Sequence, residues 1–114
     1  MNQQTFDPLA VATNLLYTEL FGADGNTLRQ RLGLPSTDTA DDDHLRDAMG
    51  EIALEYLAAA EDELARWLKR NRGVGAIEVW IVAQQVGKHW GASLRGISAE
   101  RGIDVVTGEP IAKV

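Results

Sequence analysis

Nine apolar residues, Leu45, Met49, Ile52, Tyr56, Leu57, Ala60, Leu64, Trp67 and Leu68, recur at helical intervals through the middle of this chain. That period belongs to one face of a helix, because a strand repeats its buried face every second residue. Thr39 and the run Asp41, Asp42, Asp43 stand ahead of the series, and Lys69, Arg70 and Arg72 close it before Gly73. Acids at the start and bases at the end match the helix dipole. The spacing predicts a long acidic helix within residues 36–72. Unbroken over 43–69 it would run about 40 Å at 1.5 Å per residue, against a radius of gyration of about 13 Å for a compact domain of this size. It must therefore kink, with Gly50 the natural place, or project into a second subunit.

The flanking segments also read as helices. In residues 1–35, Asp7 and Pro8 open a helix carried by Leu9, Ala12, Leu15, Leu16 and Leu20 and closed by Gly22. Turn residues follow, and Thr27 is placed to cap a short helix over 28–32 that Gly33 and Pro35 stop. In residues 73–114, Ile77, Val79 and Ile81 fit a strand, but Val79, Val82, Ala83, Val86, Trp90, Leu94 and Ile97 form a longer helical series. Gly87, Gly91 and Gly96 each cost about 1 kcal/mol of helix propensity relative to alanine. Gly87 and Gly91, four apart, share a face and permit close helix packing; the alternative is a break between two shorter helices. Gly102 ends the element, and residues 103–107 read as a short extended segment before Gly108 and Pro110. The expected fold is mainly α, a small single-domain helical bundle.

With 114 residues and no cysteine, disulfide scaffolds, zinc ribbons and thiol nucleophiles are excluded. The first residues show no basic leader or cleavage pattern, and no apolar run approaches the 18 or so residues of a spanning helix. A cytoplasmic protein with no membrane partner is expected. Charge is uneven: −1 over residues 1–35, −8 over 36–66 and +3 over 67–114, for a net −6. An acidic chain argues against indiscriminate nucleic-acid binding.

The residues that could carry chemistry form thin constellations. His44 with Asp43, Asp47 and Glu51 has a spacing able to hold a cation, but the acids read more simply as a solvated first helical turn. His89 has no acid within helical reach. Ser93 and Ser98 lack a base and an orienting acid, and Gly73-Val74-Gly75 is too short for a phosphate loop. No catalytic residue, metal or cofactor is expected. The run Leu94-Arg95-Gly96-Ile97 followed by Gly102-Ile103 and Thr107 is a partial helix-turn-helix pattern. Gly108 and Pro110 cut its second helix short, and no base-reading Arg or Lys stands there. Leu94, Ile97 and Ile103 are assigned to core.

Surface expectations follow from patterning. Trp67 reads as core. Ile77, Trp80 and Ile81 on one side and Val79, Val82 and Val86 on the other make a helix apolar all round, which must be enclosed. A homodimer through Ile77, Trp80, Ile81, Gly87 and Gly91 is the expected solution. The acidic residues Asp41, Asp42, Asp43, Asp47 and Glu51 form a candidate face for a protein partner with a basic surface. Lys69, Arg70, Arg72, Lys88, Arg95 and Arg101 form the alternative, a nucleic-acid surface.

Several stretches carry a family resemblance: Leu32-Gly33-Leu34-Pro35, Leu45-Arg46-Asp47-Ala48-Met49, Val82-Ala83-Gln84, Gly87-Lys88, Gly91, Ile97, Glu100, Gly102, Val105-Val106-Thr107 and Ala112-Lys113. Together they resemble the helical carboxy-terminal region of phage antirepressor and DNA-damage-inducible protein D-like chains, over about two thirds of the sequence. The chain departs from that pattern at Trp90, in the acidic stretch 36–43, and in having only 31 residues before Leu32. The resemblance implies a mobile-element or DNA-damage regulatory context and transfers no catalytic residue; a repressor or recombination protein is the partner whose basic surface the acidic face would engage. The reading is a non-enzymatic regulatory interaction module, with a dimeric nucleic-acid-binding regulator and a metal-dependent enzyme built on His44 as alternatives.

Overall fold

The computed structural model describes residues 8–34 and 43–111, and these are mainly helical. In chain order the helices are α1 Pro8–Phe21, α2 Gly25–Arg31, α3 Asp43–Asp47, α4 Glu51–Arg70 and α5 Ala76–Arg101. Both α1 and α4 pack on α5, α1 the more extensively. Leu16, Tyr17 and Leu20 of α1, Leu57 and Ala60 of α4, and Ala83 and Leu94 of α5 form the centre of the core, with Leu28 and Leu45 closing it from the short helices. The molecule is an elongated slab of 54 × 31 × 18 Å.

The long acidic helix is interrupted where its length demanded. Ala48, Met49 and Gly50 separate α3 from α4, and Gly50, in extended backbone, is the N-cap of α4. The break is filled by the chain's closing loop. Val106 is buried in the core, and its carbonyl accepts the Gly50 amide at 2.8 Å. A side chain at residue 50 would fall on the Thr107 carbonyl, so only glycine lets the loop approach this closely.

That loop corrects one expectation. Residues 103–107 are extended only at Ile103, which bridges Pro110; the chain then turns sharply. Asp104 Oδ1 accepts the amides of Val106 and Thr107 at 2.8 and 2.9 Å, so a local side-chain acceptor wins over an extended path. The partial helix-turn-helix has no second helix, and Ile97 and Ile103 are half-buried while Leu94 is fully buried.

Two further differences are local. The short second helix begins at Gly25, capped by Asp24, whose carboxylate accepts the Thr27 amide at 2.9 Å; Thr27, the expected cap, lies inside the helix. Residues 76–101 form one helix through all three glycines, opened by Glu78 accepting the Gly75 amide at 3.3 Å and closed by Gly102 at φ +66°. The expected close approach at Gly87 and Gly91 occurs inside the chain. A β-carbon on Gly87 would lie 2.7 Å from Glu19 Cβ, and one on Gly91 would meet the Glu19 carbonyl oxygen. Both glycines are covered by α1, which removes them from the expected dimer interface.

Candidate functional site

Helix α5 has a buried face and an outer one. At 100° per residue, Ile77, Ile81, Gln84, Lys88, Ala92 and Arg95 fall in one sector, and all six are exposed. Ile77 keeps 67% of its surface open and Ile81 49%. Trp80, at the edge of this sector, is half-buried against the core. Of the five residues expected at a dimer interface, Ile77 and Ile81 thus lie together on the surface, with Trp80 beside them. Among the described residues, the other large apolar side chains left exposed are Leu54 and Ile111.

The six basic residues do not form one patch. Lys69, Arg70 and Arg72 cluster where α4 passes into α5, whereas Arg101 ends α5 about 39 Å away along a 26-residue helix. Lys88 lies between them, and Arg95, though exposed, reaches across to α1 and donates to the Glu19 carbonyl at 3.0 Å near that helix's C-terminal end. That contact answers orphan carbonyls of a helix end with a cation.

Of the acidic face, Asp47 and Glu51 are exposed on either side of the Gly50 break. Asp41 and Asp42 lie outside the described residues, as do the side chains of Asp43 and His44, so the metal reading built on His44 falls there too. Among the described residues no three His, Asp or Glu side chains converge as a metal site would require. Ser93 is exposed, and Ser98 is buried with no hydrogen-bond partner for its hydroxyl.

Two clusters escaped the sequence reading. Arg46 of α3 grips Glu61 of α4 through both terminal nitrogens, at 3.1 and 2.7 Å. This bidentate pair holds the Arg46 guanidinium more firmly protonated than usual, the Glu61 bonds outweighing partial burial. Fully buried Tyr17 lies beside it, its hydroxyl making no hydrogen bond of acceptable geometry, and burial raises its pKa above the ordinary 10.0 despite the nearby arginine. The second cluster lies on the α4–α5 seam. Tyr56 and Trp90 meet edge to face at 6.0 Å and 78°, His89 meets Trp90 at 5.3 Å, and Glu63 accepts the Trp90 indole N–H at 2.8 Å. Residues 27 and 34 positions apart carry no periodic signal that could have joined them.

No helix among the described residues is long and apolar enough to cross a membrane. No family model, curated protein or solved structure matches this chain.

Proposed function

We propose that this chain is a non-enzymatic helical interaction module that pairs with a second copy of itself through the outer face of α5. The observation carrying the proposal is the exposed pair Ile77 and Ile81, one helical turn apart, where among the described residues the only other large apolar side chains left exposed are Leu54 and Ile111. Adjacent exposed isoleucines flanked by polar residues favour association over solvation, and a two-fold axis beside Ile81 would set each pair against its counterpart. Gln84 and Gln85, exposed on the next turn, supply a polar rim. The antirepressor-like sequence pattern supplies the context, regulation in the cytoplasm of a cell carrying a mobile element.

Light scattering across micromolar concentrations tests the pairing. The wild-type mass should rise towards twice that of the monomer, and the Ile77→Asp, Ile81→Asp double variant should stay monomeric with unchanged thermal unfolding at low concentration. A wild-type mass that stays monomeric throughout sinks the proposal.

A further inference from the structure

We propose that the corner formed by Tyr56, Trp90 and Glu63 on the α4–α5 seam binds the guanidinium group of an arginine on a basic partner segment. This surface is distinct from the one used for pairing: Trp90 lies about 180° around α5 from Ile81. The proposal therefore stands or falls separately from the dimer.

The geometry points to a cation. Rings set at 78° and 6.0 Å form a corner instead of a stack, which leaves ring surface open to a third group. Both rings are only half-buried, so that surface reaches solvent. Aromatic faces carry negative quadrupole potential, and indole carries the most. The carboxylate of Glu63 adds a full negative charge at the edge of the same indole, held there by the 2.8 Å bond from Trp90 Nε1 to one of its oxygens. Its second oxygen makes no hydrogen bond to the described residues. A planar guanidinium satisfies both features together, stacking on a ring while donating to a carboxylate; an ammonium lacks the plane and an apolar group lacks the charge. Arg66, three residues beyond Glu63, is turned to Asp62 at 2.8 Å, and the chain's other ring at Trp90 is His89, edge to face at 5.3 Å and exposed. A net charge of −6 favours the approach of a basic segment.

The test is a titration of the full ¹⁵N-labelled chain with N-acetyl-argininamide, following the tryptophan indole N–H signals and assigning that of Trp90 by Trp90→Phe. The Trp90 signal should move to saturation while those of Trp67 and Trp80 stay, and the uncharged N-acetyl-citrullinamide should leave all three in place. Glu63→Gln, which can still accept the indole bond, should weaken binding about tenfold, as expected for losing a hydrogen bond to a charged group. Tyr56→Leu should weaken it about two- to fivefold, the scale of an exposed cation–π contact. Glu55→Gln removes the same charge from another face of α4 and should change nothing. Equal movement with the citrulline compound, unchanged binding in Glu63→Gln, or equal weakening by Glu55→Gln would each overturn the proposal.

Discussion

Asp24 supports the fold through one acceptor atom. The Thr27 amide holds its carboxyl below the ordinary value of 3.8, so the ionised form is favoured by folding. Its stabilisation is complete above that value and is lost as pH falls through the lower folded-state pKa. Asp24→Ala should cost about 1 kcal/mol at neutral pH, the usual loss for an N-cap. Asp24→Asn, which caps without titrating, should flatten the acid limb of a denaturation-midpoint series against pH. Tyr17 works at the other limb. Burial favours its neutral form, and the stability this brings is present below pH 10.0 and lost as pH rises through the raised value. Tyr17→Phe should leave neutral-pH stability within about 1 kcal/mol, because the hydroxyl makes no good hydrogen bond, and should reduce the alkaline loss seen in urea midpoints. Gly91 acts by what it lacks. Gly91→Ala should destabilise by about 1–3 kcal/mol through the overpacking of a β-carbon on the Glu19 carbonyl, measurable by the same denaturation.

At the scale of elements, the break between α3 and α4 depends on two segments more than fifty residues apart. The loop offers the Val106 carbonyl to Gly50, and Gly50 offers the loop a surface without a side chain. Gly50→Ala should displace the loop, seen as faster hydrogen exchange at the Val106 and Thr107 amides that Asp104 now holds. Helix length against domain size called for either a break or a projection into a second subunit, and the break falls at Gly50, the residue that best tolerates it. Sequence periodicity found α1, α4 and α5. It missed Asp24 as a cap because Thr27, three residues on, has equal chemistry and only backbone geometry separates them. It placed Gly87 and Gly91 on one face but could not say which helix met them. The Arg46–Glu61 grip was illegible for a related reason: the pair lies across the α3–α4 break, which ends any helical register between them.

For the whole molecule, the position of charge matters more than its total. Among the described residues of the basic set, Lys69, Arg70 and Arg72 stand together, whereas Lys88 lies mid-helix, Arg95 is engaged with Glu19 and Arg101 lies at the far end of α5. If duplex DNA is offered, the affinity should fall with salt at a logarithmic slope no steeper than about −3, one counterion per engaged base. Replacing Arg95 and Arg101 by alanine should leave that affinity unchanged in an anisotropy titration. A steeper slope that those two substitutions reduce would return the basic surface to first place.

The packing of α1 on α5 also sets an order of events when the chain is made. Arg95 reaches back 76 residues to the Glu19 carbonyl. At about 5–20 residues per second, α1 waits on the order of 4–15 s after synthesis for the helix that covers it. During that interval Leu16, Tyr17 and Leu20 lack their main partner, so α1 is the segment that a nascent-chain chaperone would meet bare.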